Sequence, residues 1–121
     1  MKALLLAAGL GSRLKPLTNE WPKCLMPING KPLLEIWLDS LFEVGIKEIL
    51  VNVHHHSKEV IDFLSRKKFE KKISWVYEAN LLGTAGTLIK NKDFFGEHDI
   101  LLIHSDNLCL ANLNSFINCH K

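Results

Sequence analysis

Cysteine is scarce and unpatterned in this 121-residue chain: Cys24, Cys109 and Cys119 are odd in number and nowhere spaced as C-x-x-C. Neither a disulfide framework nor a zinc site is signalled, and a reducing cytoplasm is the compartment that fits. No apolar run reaches membrane-spanning length. The apolar start, Ala3 to Leu10, imitates the core of a signal peptide, but Gly9 interrupts it and it runs into Arg13 and Lys15 instead of a cleavage site. Charge of one sign is also lacking, with a net of +2 and no long basic run, so a polynucleotide partner is not indicated. Internal repeats, low-complexity tracts and linkers are absent from the sequence. What remains, 47% hydrophobic and 23% charged, is the make-up of one globular domain with one core.

Two familiar phosphate-binding strings are missing as well. No G-x-x-x-x-G-K-[ST] occurs, which excludes a P-loop. A dinucleotide turn needs a third small residue after Gly9 and Gly11, yet position 14 is Leu14, and the second apolar run ends in Val53-His54 rather than in an acidic residue. What is present is an apolar run of strand length, Lys2 to Ala7, feeding a loop with Gly9, Gly11 and Arg13. Glycine lacks the Cβ that would hold a ligand off the backbone. Arg13 adds a planar charge suited to phosphate oxygens and Lys23 a compact second one, so the loop reads as a polyphosphate site.

Beyond the loop, which extends to about Lys31, helical and strand patterns alternate. Leu34, Trp37, Leu38 and Leu41 repeat at helical spacing after Pro32, and Gly45 supplies a stop. Ile46 to Val53 reads as a second strand, and Ser57 as the cap of a helix carrying Val60, Ile61 and Leu64, which ends in the basic segment from Arg66 to Lys72. Ile73 to Tyr77 and Ile100 to His104 are the third and fourth strands, Gly83 to Lys90 a helix between them, and Leu113, Phe116 and Ile117 mark a helix begun near Asn112. This alternation predicts a doubly wound α/β fold on a mostly parallel sheet of about four strands, with ligands beyond the carboxyl ends of the strands. His54, His55 and His56 follow the second strand; consecutive side chains point alternately on an extended segment, so they read as polar loop residues more readily than as a metal cluster.

The string Ala7-Ala8-Gly9-x-Gly11-Ser12-Arg13-Leu14-x-Pro16-Leu17-Thr18, followed by Pro22-Lys23-x-Leu25-x-Pro27-Ile28-x-Gly30-Lys31-Pro32, closely resembles the signature of the sugar-phosphate nucleotidyltransferases, the mannose-1-phosphate and heptose-1-phosphate guanylyltransferases among them. The resemblance implies a Rossmann-like domain in which Ala7, Ala8, Gly9, Gly11 and Ser12 hold a nucleoside triphosphate, while Arg13 and Lys23 act catalytically on its phosphate charge. Leu82-Gly83-Thr84-Ala85-Gly86 resembles the family segment that lies against the nucleobase, and Glu78 stands where members contact the base edge. A carboxylate only accepts, so guanine, with two donors, suits it best, uracil less well, and cytosine and adenine poorly; Glu78 as a solvated strand-end residue is the alternative. Asp106 in His104-Ser105-Asp106-Asn107 resembles the family's magnesium ligand, a hard oxygen at a strand end, with a helix-capping role as the alternative.

On this resemblance a sugar 1-phosphate attacks the α-phosphorus of the triphosphate, GTP favoured, and pyrophosphate leaves, with Mg²⁺ as cofactor. Family catalytic domains are about twice this length. Residues 1–121 therefore correspond to the nucleotide-binding half, expected to self-associate or to pair with a missing C-terminal half. A non-catalytic nucleotide-binding or assembly module is the alternative function.

Overall fold

The computed structural model describes residues 1–69 and 71–121. In chain order the elements are β1 (Lys2–Leu6), the short strands β2 (Pro27–Ile28) and β3 (Lys31–Pro32), α1 (Leu33–Glu43), β4 (Ile49–Val53), α2 (Ser57–Leu64), β5 (Ile73–Tyr77), α3 (Gly83–Lys90), α4 (Lys92–Phe95), β6 (Ile100–His104) and α5 (Leu113–His120). Between β1 and β2 the chain forms three single 3₁₀ turns, Ser12–Leu14, Leu17–Asn19 and Lys23–Leu25.

The main sheet has the order β5-β4-β1-β6, and every pairing in it is parallel. The central strands β1 and β4 are apolar apart from Lys2 and Asn52, because both their faces are covered, as parallel sheets require. One face carries Leu5, Val51 and Ile103 against Leu34, Leu38, Val60, Phe63 and Ile117 of α1, α2 and α5. The other carries Leu4 and Leu50 against Phe95, with Leu88 and Phe94 beside them, from α3 and α4. The doubly wound α/β reading therefore holds. Strand order reverses at β1, since the chain builds outward through β4 and β5 and then returns to pair β6 on the other side of β1. This reversal opens a crevice above the carboxyl ends of β1 and β6.

Gly45 stops α1 as its position suggested. It takes φ +82°, its N–H donates to Phe42 O at 3.0 Å, and the Ile46 N–H donates to Leu41 O at 3.0 Å. These are the two bonds of a Schellman ending, and Ile46 and Leu41 are buried in the same core cluster. That ending occupies residues 44–46, so β4 starts at Ile49 and not at Ile46. Ser57 is the first residue of α2 rather than its cap: His56 holds the cap position at φ +51°, and no side chain caps that end. Asn112 does cap α5, its Oδ1 accepting from Ser115 N at 3.0 Å. Inside the stretch expected to be loop, β2 and β3 pair antiparallel around Asn29-Gly30, whose positive φ values of 51° and 78° suit a tight two-residue hairpin. Among the described residues no helix is long and apolar enough to cross a membrane.

Candidate functional site

The loop leaves β1 one residue earlier than the apolar run suggests, because the Ala7 N–H donates to Asn52 Oδ1 at 2.8 Å instead of extending the strand ladder. Ala7 and Ala8 are buried, and Gly9 has open space around the position a Cβ would take, so a ligand can meet its backbone directly. Gly11 is different. At φ +62°, a Cβ on it would lie 2.6 Å from Thr18 Cγ2, so glycine is required there by the loop's own packing. Thr18 is buried and its hydroxyl donates to Gly11 O at 2.6 Å, folding the loop back on itself.

A single cleft at the strand-order reversal gathers Ala7, Ala8, Gly9, Lys23, Glu78, Gly83, Thr84 and Asp106. Gly11, Ser12 and Arg13 are not part of its lining; Ser12 and Arg13 stand exposed on the first 3₁₀ turn. Lys23 and Asp106, 83 residues apart in sequence, meet across the mouth of the cleft with Nζ 2.7 Å from Oδ2. Asp106 is set in place by its neighbours. The Ser105 N–H and hydroxyl both donate to Leu6 O, at 3.2 and 2.8 Å, carrying the β1–β6 pairing past the strand end. Trp37 Nε1 donates to Asn107 O at 2.9 Å and ties the following turn to α1.

The hydrogen bond from Lys23 is the main reason that the Asp106 carboxyl lies below its ordinary value of 3.8, against a smaller opposing effect of burial. Because the folded value is depressed, the pair contributes above the ordinary carboxylate range and is lost as pH falls through the lowered value. Replacing Lys23 with Met should return the Asp106 titration toward 3.8. Carboxyl-carbon NMR reads this directly, and an unmoved titration would mean that Lys23 does not hold the carboxylate in solution. Cys24, also in the cleft lining, is buried, which pushes its thiol up to about 12; a thiolate nucleophile is thereby excluded at neutral pH.

Glu78 is not the solvated strand-end residue of the alternative reading. It is 1% exposed. Its Oε1 accepts from Asn52 Nδ2 at 3.1 Å and from the Thr87 hydroxyl, while Oε2 accepts from Leu82 N at 3.3 Å. Of the roughly four acceptor positions on a carboxylate, these bonds leave about one for anything in the cleft. A bidentate contact with guanine's two donors is therefore closed to it, and the advantage of guanine over a base with a single N–H disappears.

The histidine triplet braces the site. His54 Nδ1–H donates to Glu78 O at 2.7 Å, and His55 and His56 each turn Nε2 to Thr18 O, at 3.3 and 3.0 Å. A carbonyl can only accept, so each of these nitrogens is the protonated one. Asn52 and Thr87 were given no role by the sequence, and Thr18 and Ser105 stood in its motifs without one; the signal available for Asn52 was a lone amide between Val51 and Val53 in an otherwise apolar strand.

An open α/β sheet with the Gly9 backbone, a lysine and an aspartate lining one cleft at its switch point is the arrangement in which such folds place their ligand sites. The family model described as Nucleotidyl transferase matches residues 2–121, and the chain belongs to that family. It is 33% identical to mannose-1-phosphate guanylyltransferase 1 of Arabidopsis thaliana over 127 residues, which cover all of this chain and 35% of that protein. A crystal structure from Bacillus anthracis, named as a glucose-1-phosphate thymidylyltransferase and bound to sucrose, superposes with a TM-score of 0.89 at 26% identity, covering 99% of this chain and 50% of that one. The CTP:phosphocholine cytidylyltransferase of Streptococcus pneumoniae gives a TM-score of 0.73 at 34% identity, covering 93% and 47%. The chain thus spans about a third of the length of the curated relatives it matches and about half of the solved chains.

Proposed function

We propose that this chain supplies the nucleotide-binding half of an enzyme that joins a nucleoside triphosphate to a sugar 1-phosphate, forming a nucleoside-diphosphate sugar and pyrophosphate. One observation carries the reading: the exposed backbone of Gly9, the Lys23 ammonium and the Asp106 carboxylate share one cleft at the sheet's reversal point. In the reaction an oxygen of the sugar phosphate attacks the α-phosphorus while the bond to the β-phosphate oxygen breaks, and pyrophosphate carries away the electron pair. Nothing in this needs a covalent intermediate on the protein, so positioning and charge stabilisation suffice. The Ala8 and Gly9 backbone holds phosphate oxygens. Lys23 faces the charge that develops around the α-phosphate, and Arg13 meets the leaving pyrophosphate from the outer turn of the loop.

The donor set fits Mg²⁺. Asp106 offers a hard, exposed oxygen at a strand end, and Mg²⁺ needs only one or two carboxylates when substrate phosphates and waters complete its shell. Asp106 would hold the ion, which when bound offsets phosphate charge. The remaining cation in the cleft, Lys23, orients the same carboxylate through its ion pair.

The base side of the cleft supports a nucleotide presenting an N–H donor to the remaining acceptor position of Glu78, so GTP, UTP and dTTP fit it alike. Adenine and cytosine put a ring acceptor where the remaining lone pair of Glu78 points. Isothermal titration of the chain with Mg²⁺ and each triphosphate should rank GTP and UTP at least tenfold above ATP and CTP; equal affinities for all would remove the base assignment. The second reading is a non-catalytic nucleotide-binding or assembly module derived from such an enzyme. Pyrophosphate release from GTP with a panel of sugar 1-phosphates separates the two.

A further inference from the structure

We propose that Asn52 and Thr87 are positioning residues that lock the phosphate loop and the base-side loop into one rigid cleft by way of Glu78. The proposal rests on reading the cleft as a nucleotide site. Asn52 lies on a central strand between Leu6 of β1 and Val76 of β5 and is 4% exposed, a place where an amide is costly unless every polar group on it is bonded. Each is. The Ala7 N–H is a donor only, so Asn52 Oδ1 must face it, and the bond is 2.8 Å. The opposite orientation of the amide is excluded by this partner. Nδ2 is thereby turned to Glu78 Oε1 at 3.1 Å and Thr87 Oγ1 at 3.3 Å. The Thr87 hydroxyl, 0% exposed, passes its own hydrogen to Glu78 Oε1, and Glu78 Oε2 accepts from Leu82 N, the residue before α3 begins.

The bonds therefore run without a gap from the first amide of the phosphate loop, through β4, to the loop that opens α3. Side chains from three elements satisfy one another and leave no buried side-chain nitrogen or oxygen unpartnered among the described residues. A ligand spanning both loops, as a nucleoside triphosphate does, meets walls already at their working separation and has less ordering to impose on binding. A ligand touching only the phosphate loop does not use the connection. That difference separates positioning from simple support of the fold.

The test compares the best-bound of GTP, UTP, dTTP and CTP with tripolyphosphate, on the 121-residue chain with Mg²⁺. Thr87→Val keeps shape and removes the hydroxyl; Asn52→Asp keeps shape, removes the donor and sets a carboxylate against Glu78. Thr87→Val should lower triphosphate affinity about tenfold while changing tripolyphosphate affinity less than twofold, and Thr87→Ser should restore the first to within twofold. The Ala7 amide resonance, joined to Thr87 in this network only through Asn52, should shift in Thr87→Val and return in Thr87→Ser. Should Asn52→Asp not fold, the threonine series decides alone. Triphosphate affinity unchanged in Thr87→Val, or falling in the same proportion as that of tripolyphosphate, overturns the proposal and leaves the nucleotide reading standing. A wild-type chain that binds no triphosphate overturns both.

Discussion

Gly11→Ala should destabilise the chain by about 2–5 kcal/mol, the sum of roughly 1–2 for placing a Cβ in the left-handed region and roughly 1–3 for forcing it into packed neighbours. Gly11 sits at φ +62°, and the new methyl would meet Thr18 Cγ2 at 2.6 Å, Thr18 Cβ at 3.0 Å and Lys23 Cβ at 3.3 Å. Thr18 has little room to retreat, since it is 1% exposed, its hydroxyl is bound to Gly11 O, and its carbonyl is held by His55 and His56. Urea denaturation measures the loss. Adding Thr18→Ser removes Cγ2 while keeping the hydroxyl, so the double variant should recover the packing part and not the backbone part, a coupling visible only because the two sites touch. A Gly11→Ala chain within about 0.5 kcal/mol of wild type, the range of an inconsequential surface change, would mean that the loop is not held in this form.

On the proposed reading Lys23→Ala should lower triphosphate affinity at least tenfold, because hydrogen bonds to charged groups contribute roughly 1.5–3 kcal/mol each and Lys23 lines the cleft proposed for the phosphates. The loss should exceed that of Arg13→Ala. Lys23 lines the cleft and is half-buried beside Asp106, whereas Arg13 stands exposed on the outer turn, where solvent screening weakens its reach. Titration calorimetry of both variants at two salt concentrations gives the order. Equal losses would place Arg13 against the phosphates as closely as Lys23, through a closure of the loop on its ligand, and no loss at Lys23 would remove it from the site. Folding should survive both changes, since neither side chain is in the core clusters.

The sequence by itself determined the features that depend on near neighbours. Apolar runs of strand length placed all four main strands and helical spacing the longer helices, Gly45 ended α1, and α5 began near Asn112. Gly9, Lys23, Gly83 and Thr84, singled out from the sequence, do line one cleft, whereas Arg13 stands outside it. Short-range signals did less well where two of them competed. Ser57 has the chemistry of a cap, yet His56 holds that position, its ring bonded to Thr18 O, 38 residues away in sequence.

Only the tertiary structure decided which polar groups meet. Strand order is not written in any local pattern, and it is the placement of β1 between β4 and β6 that brings Asn52 to one side of the loop and Asp106 to the other. The same placement gave Lys23 an anionic partner 83 residues distant and engaged most of the acceptor positions of Glu78 inside the protein. Gly9 and Gly11 look alike in sequence, but one faces open space and the other the side chain of Thr18. The physical reason is common to all of these. Turn chemistry and periodicity act through adjacent residues, whereas the cost of burying an unpaired amide, carboxylate or hydroxyl is met by whichever group the packed sheet brings within about 3 Å.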